Sequence, residues 1–307
     1  MPEAAILIIK LGALGNVILS LNAFAAIRAY HATARISLLT TAPYAEWLWR
    51  APWFDEVLVD TRPGWWNLRE VHRLRRMLTG RGFARVYDLQ TSSRSSHYFQ
   101  LFPRTAKPEW SGIAPGCSHP DRDPNRDRMH DNDRQIGQLR QAGIVTIPPA
   151  DLSWCRGDSA RFGLPRDFVV LVPGSAPHRP VKRWPAARYQ ALAEALRAQG
   201  LTPVVVGSAA EASIARAIPA ALNLTGQTSF GDLADLGRSA RFAVGNDTGP
   251  MHLLAAAGCP AVVLFSHASD PALCAPRGPD VRVLRRPDLA TLEVATVLAA
   301  LPHLVAA

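Results

Sequence analysis

The sequence predicts an α/β protein of two doubly wound domains, and three observations predict it. Short apolar runs alternate with amphipathic helical stretches from the first residues, the alternation lapses after residue 103, and it restarts at residue 167. A chain of 307 residues also exceeds the usual size of one domain, so two of about 150 residues are expected, each large enough to bury a core.

In the first half, residues 4–11 (AAILIIKL) read as a strand, followed by a glycine turn and a helix over 16–30. Further strands are expected at 34–40, 55–60 and 83–89. Pro, Asp, Asn and Arg then crowd residues 103–135, a loop long enough to be functional or mobile. A helix over 133–143 stops at Gly143, and Pro148, Pro149 and residues 153–163 read as a linker. The domains are therefore placed at 1–155 and 156–307. In the second half, strands are expected at 167–172, 202–206, 241–245 and 260–265, with helices at 185–199, 209–218, 230–239 and 248–257. Two Rossmann-like halves facing each other across a cleft are the simplest assembly, with ligands held by the loops that follow strands.

Hydrophobic residues make up 48% and charged residues 19% of the chain, a globular balance. Lys10, Arg28, Arg35 and Arg50 interrupt the apolar N-terminal region before it reaches the ~18 residues of a spanning helix. Glu3 precedes the first apolar run, which argues against a secretory signal, so a cytoplasmic location is expected. Cys117, Cys155, Cys259 and Cys274 are too scattered for a disulfide framework or a Cys-x-x-Cys site and are expected to be reduced and structural.

The net charge of +9 is concentrated in the first 150 residues, which hold 19 Lys and Arg against 13 Asp and Glu. Residues 62–85 alone carry seven arginines and one acid, Glu70. Leu68, Val71, Leu74 and Leu78 recur there at helical spacing beside Trp65 and Trp66, which would leave Arg69, Arg73 and Arg76 on an outer face. Such a face suits an anionic membrane surface, or is an ordinary solvated one. Nucleic acid is not expected as a partner.

Three loops are candidates for chemistry. Gly12-Ala13-Leu14-Gly15-Asn16 joins the first strand to its helix, with glycines that let backbone approach a ligand, but it lacks the Gly-x-Gly-x-x-Gly dinucleotide fingerprint. Pro173-Gly174-Ser175-Ala176 leads to Lys182-Arg183-Trp184-Pro185, a hydroxyl, open amides and a lysine on one strand-to-helix loop that can hold a diphosphate without metal. Gly245 to His252 (GNDTGPMH) joins a strand directly to a helix, with Asp247 or Thr248 as its cap and the amides of Thr248 and Gly249 at its N-terminus. Glu211, in a first helical turn, is placed to accept hydrogen bonds from sugar hydroxyls or is simply an exposed acid. Asp121-Arg122-Asp123 matches an Asp-x-Asp metal motif but has no expected strand before it, so no metal is expected. There is no Walker loop and no Gly-x-Ser-x-Gly elbow.

In this order, KLGALGN, PGSAPHRPVKRWP, VVVGSAAE, NLTGQTSFGDL and VGNDTGPMHLLAAAGCPAVVLF resemble glycosyltransferase family 9, the ADP-heptose:lipopolysaccharide heptosyltransferases, over nearly the whole chain. The resemblance implies a GT-B fold and an inverting, metal-independent transfer of heptose from ADP-heptose to the lipopolysaccharide inner core. It implies an acceptor-binding first domain, a nucleotide-sugar-binding second domain, and no cofactor. Carried over by position, Ser175, Lys182, Thr248 and Gly249 would hold the diphosphate, Glu211 the ribose and Asp247 the heptose, with His252 in support. A lipid-linked acceptor also implies peripheral contact with the inner membrane.

One position departs from the family. Its glycine turn ordinarily ends in an aspartate proposed as the general base, where this chain has Asn16, an amide that cannot accept a proton at neutral pH. Asp88, at the end of the strand over 83–89, is the expected substitute, or a turn acid. A member using another nucleotide sugar and a non-catalytic saccharide- or nucleotide-binding member stay open; a nicotinamide-dependent oxidoreductase lacks its fingerprint glycines.

Overall fold

The computed structural model describes residues 4–149 and 151–301 and divides into two compact units, Met1–Trp154 and Cys155–Ala307. The first unit runs β1 (Ala5–Ile9), α1 (Leu14–Ile18), α2 (Leu21–Tyr30), β2 (Arg35–Thr40), α3 (Ala42–Trp49), β3 (Glu56–Val59), α4 (Leu68–Thr79), β4 (Arg85–Asp88), α5 (Ser93–Tyr98), β5 (Glu109–Gly112), β6 (His119–Pro120) and α6 (Asp131–Gln141). The second runs β7 (Phe168–Val172), α7 (Ala186–Ala198), β8 (Thr202–Val205), α8 (Ala212–Arg216), β9 (Leu222–Asn223), α9 (Phe230–Ser239), β10 (Ala243–Asn246), α10 (Gly249–Ala256), β11 (Ala261–Phe265), α11 (Pro271–Cys274), β12 (Val281–Arg285) and α12 (Val294–Ala299).

Each unit is built on a six-stranded parallel sheet, ordered β3-β2-β1-β4-β5-β6 in one and β12-β11-β10-β7-β8-β9 in the other. The two orders describe the same topology, with the strand order reversing between β1 and β4 and between β7 and β10. Such a reversal opens a crevice at the carboxyl ends of the neighbouring strands. The central strands β7 and β11 read FVVLV and AVVLF and are buried along their whole length, as parallel strands covered on both faces must be. Around them pack Trp184, Tyr189, Leu192 and Phe242 in the second unit, and Trp110, Tyr98, Leu74 and Leu78 pack on the first sheet.

Helix ends follow local chemistry. Ser229 caps α9 in a reciprocal box with Asp232, and Asn67 caps α4 by accepting the Glu70 amide at 3.3 Å. Gly143, at φ +92°, follows α6 in the left-handed conformation that ends helices.

The structure differs from the sequence reading in five places. The helix expected over 16–30 is two helices, because Ser20 turns its hydroxyl back to the Asn16 carbonyl at 2.7 Å where the chain bends. The lapse over 103–135 contains β5, β6 and single helical turns. β6 stands directly before Asp121, so that acid does follow a strand, and its carboxylate is taken up by Arg126 at 2.9 Å. Leu68 is 75% exposed and does not join Leu74 and Leu78 in the core, since it opens α4 on the outer side. The elements α3, α5, β9, β12, α11 and α12 had no expected counterpart. Among the described residues no helix is long and apolar enough to cross a membrane.

Candidate functional site

At the carboxyl end of the second sheet, three segments meet. The loop after β7 carries Pro173, Gly174 and Ser175; the approach to α7 carries Lys182, Arg183 and Trp184; and β10 ends in Asn246, with Asp247 next in the chain. Asn246 joins them. Its side chain is fully buried, its amide nitrogen donates to the carbonyls of Pro173 and Gly174 at 2.8 and 3.2 Å, and its oxygen accepts from the Trp184 amide at 3.0 Å and the Tyr189 hydroxyl at 3.1 Å. A donor and an acceptor on one planar, uncharged group are what this position uses, and the amide of Asn246 supplies both. Sequence reading passed over Asn246, although a polar residue ending an apolar strand was the available signal.

Next in the chain, Asp247 is the carboxylate on which the site's donors converge. Lys182 Nζ forms a close ion pair with its Oδ2, Ser269 Oγ donates to the same oxygen at 2.7 Å, and His252 Nε2 stands 3.9 Å from Oδ1. Burial alone would raise its pKa, but His252, Lys182 and Ser269 together outweigh it and hold the carboxyl at about 2. It is therefore ionised over the whole neutral range. Ser269, on the loop after β11, was also missed by sequence reading.

Of the residues expected around the donor, the structure brings Lys182, Asp247 and His252 into one cluster. Thr248 is the cap residue of α10 but makes no side-chain capping bond, and Pro250 occupies the first turn, so the amide end of that helix carries its partial positive charge uncapped by Thr248. Ser175 is placed differently from the expectation. Only 3% exposed, it donates to the Arg179 carbonyl at 3.0 Å and accepts from Arg183 Nε at 3.0 Å, tying its own loop instead of presenting a free hydroxyl. Glu211 accepts from the amide and hydroxyl of Ser208 at 2.7 and 2.8 Å, and its other oxygen lies against Gly174. A side chain at 174 would put its Cβ 1.6 Å from that oxygen, so glycine is what admits the carboxylate.

In the first unit, the loop after β1 turns through Gly12 at φ +122°, and a Cβ there would meet the Tyr44 ring at 2.7 Å. Asn16 follows on α1 and is exposed. Beside this turn, Gln90 accepts the Leu11 amide at 2.8 Å, and the buried Lys10 donates to the Leu89 carbonyl at 3.0 Å and faces Asp131 at 3.7 Å. Asp88, opposite Ile9 in the sheet, accepts the Thr91 amide at 3.0 Å and is fully buried. A general base must come within hydrogen-bond reach of the proton it removes. Asp88 lies beneath the surface and folds the turn above it, the arrangement of a turn acid, and as a substitute base it would have to reach the acceptor proton from beneath that turn.

On the same unit, Arg69, Arg73 and Arg76 are exposed along α4, next to Trp66 at 88% exposure and Leu68. Other arginines of the 62–85 stretch are spent on the fold: Arg75 on the Leu101 carbonyl, Arg81 on Glu56 and Arg85 on Glu109.

Burial pushes the Asp88 carboxyl up to about 7, while the Thr91 amide, Ser95 and Lys10 pull it down. A carboxyl whose folded pKa lies above its unfolded value stabilises the fold below about 4 and loses that contribution as pH rises through about 7. Asp88→Asn removes the titration and keeps an acceptor for Thr91. Urea unfolding of the two proteins should therefore diverge in the variant's favour from pH 4 to pH 8; curves that stay parallel contradict the buried carboxyl.

Residues 139–296 match the family model of glycosyltransferase family 9 (heptosyltransferase). The lipooligosaccharide heptosyltransferase 2 of Haemophilus influenzae is 34% identical over 113 residues, 34% of this chain and 32% of that protein. The lipopolysaccharide heptosyltransferase 2 of Escherichia coli is 34% identical over 129 residues, 39% of this chain and 36% of that protein. These matches span about a third of the relatives' length. In fold the likeness extends further: the structure of Escherichia coli ADP-heptose lipopolysaccharide heptosyltransferase II aligns with a TM-score of 0.77 at 22% identity, covering 96% of both chains. A glycosyl transferase family 9 structure from Veillonella parvula aligns with a TM-score of 0.81 at 20% identity, covering 97% of this chain and 95% of that one. Two parallel doubly wound sheets and a family match over more than half of the chain lead to one assignment: this protein belongs to glycosyltransferase family 9.

Proposed function

We propose that this chain transfers heptose from ADP-heptose to the lipopolysaccharide inner core, with inversion and without a metal or other cofactor. The observation that carries the reading is the cluster of Lys182, Asp247 and His252 beside the N-terminus of α10, which Thr248 leaves uncapped. In this reading the acceptor oxygen attacks the anomeric carbon as the bond to the diphosphate breaks, and ADP leaves with the electron pair. Lys182 and the amides of Thr248 and Gly249 take up the developing negative charge, the work otherwise done by a metal ion. Asp247, freed from Lys182 when the diphosphate arrives, accepts from the sugar hydroxyls, and Glu211 from the ribose. Ser175 shapes the loop that presents Lys182. The second unit thus binds the nucleotide sugar and the first binds the acceptor.

Asn16 sets the rate. With an amide at the family's base position and Asp88 buried, the acceptor proton gains no carboxylate help from either, and the enzyme is slow. The exposed amide also favours a second reading, a member that binds the nucleotide sugar without transferring it. The exposed face of Arg69, Arg73 and Arg76 with Trp66 and Leu68 supports docking on the cytoplasmic side of an anionic inner membrane, where the lipid-linked acceptor resides.

Incubation with ADP-heptose and a truncated lipopolysaccharide in the presence of a chelator should release ADP and add one heptose to the glycan. Lys182→Ala should weaken ADP binding by ~10-fold or more, as expected for a lost charge-assisted contact, while adenosine binding stays unchanged. Equal losses for both ligands remove Lys182 from the phosphate, and dependence on added magnesium defeats the metal-free mechanism. Asn16→Asp should raise turnover by ~10²-fold by restoring a proton acceptor. Tight donor binding with no transfer by either protein favours the binding-only reading. Cosedimentation with anionic vesicles should fall steeply as salt rises, because exposed charges are screened within ~8 Å at 0.15 M; equal binding to neutral vesicles contradicts the docking face.

A further inference from the structure

Serine hydroxyls in loops usually bond to backbone within a few residues, which makes Ser269 unusual. Its Oγ donates at 2.7 Å to Asp247 Oδ2, 22 residues away and on a different strand end. Ser269 itself is half-buried, on the loop between β11 and α11, where Asp270 begins α11 by accepting the Ala272 amide at 3.1 Å. The helix start fixes the backbone beside Ser269 independently of Asp247. The carboxylate is thus approached from three elements: the segment before α7 supplies Lys182, α10 supplies His252, and the β11 loop supplies Ser269.

These donors are not equivalent. Lys182 and Ser269 share Oδ2, whereas His252 stands at 3.9 Å from Oδ1, beyond hydrogen-bond length. A lysine on a flexible stem exchanges one anion for another without rearranging its loop. When a diphosphate draws Lys182 away, Ser269 and His252 remain beside the Asp247 carboxylate, and the hydroxyl, at 2.7 Å against 3.9 Å, is the closer donor. Without it, only the more distant imidazole would fix the rotation of the carboxylate about its last bond, just when a ligand needs it in one orientation.

We propose that Ser269 is a positioning residue of the donor-sugar subsite, holding the Asp247 carboxylate in its sugar-accepting orientation once Lys182 turns to the diphosphate; this rests on the donor reading given above. Ser269 acts through Asp247 and contributes nothing to the nucleotide. It therefore separates two quantities that a merely structural residue would lower together: affinity for ADP and the extra affinity that the sugar brings.

The experiment is calorimetric binding of ADP and of ADP-heptose to the wild-type chain, Ser269→Ala and Ser269→Thr, with the carboxyl titration of Asp247 followed by NMR in each ligand-free protein. In Ser269→Ala, ADP affinity is expected within about twofold of wild type, while the gain from the heptose falls by ~10-fold, the usual scale for a lost hydrogen bond to a charged group. Ser269→Thr, which keeps the hydroxyl, restores the gain. The Asp247 titration moves upward in Ser269→Ala, because an ionised carboxylate has lost a donor, and returns in Ser269→Thr. A heptose gain that survives in Ser269→Ala overturns this inference alone. So does an Asp247 titration indifferent to the substitution. A wild-type chain that binds ADP but gains nothing from the heptose overturns the proposed donor, and the role of Ser269 with it.

Discussion

The geometry at the carboxyl edge of the second sheet depends on one buried amide. Asn246 spends its nitrogen on the loop that leaves β7 and its oxygen on the segment that enters α7. Because both ends of the intervening loop are pinned to one side chain, the stretch between them, with Ser175 and Lys182, is a tethered arc. The Lys182 ammonium can then meet Asp247, the residue that directly follows the clamp. A tether of this kind limits how far the lysine wanders and lowers the ordering cost when an anion arrives.

The first sheet solves the matching problem with charge. Lys10, Asp131 and Asp88 are all at or below 6% exposure, and Lys10 and Gln90 tie the β4 loop to the turn after β1. Burial lowers the affinity of Lys10 for its proton and raises that of Asp88, so each pays a desolvation cost that the neighbouring opposite charge partly offsets. The arrangement holds the chain just before the turn that leads to Asn16.

How much of this was legible in the sequence varies by element. The fully buried strands were readable because FVVLV and AVVLF leave no polar alternation to misread, and helix α9 because its Ser-x-x-Asp start is a capping signature. The edge strand β12 was not, since VRVLR mixes charge into a half-exposed strand that propensity alone does not distinguish from loop. At the site, Lys182 was picked out on its strand-to-helix loop, and Asp247 and His252 through the family resemblance. Asn246 and Ser269 were not, because their importance lies in bonds to residues 62 and 22 positions away, and long-range partners leave no periodic trace. Asp88 was placed correctly at a strand end, but its burial was not legible, as it depends on α6 and the neighbouring strands covering it.

The contact between Gly174 and Glu211 carries a further consequence for how this sequence can drift. The space that a methyl group would need at 174 is already filled by a carboxylate oxygen, and that carboxylate is in turn the partner of the Ser208 amide and hydroxyl. A larger residue at 174 collides with Glu211. A shorter residue at 211 strips the turn of its acceptor while leaving a void above the glycine. Either substitution alone is therefore a step downhill in fitness, and only the pair together reaches another workable packing. Descendants of this chain should keep or change the two positions jointly, so that residues 37 apart in sequence behave as a single inherited unit.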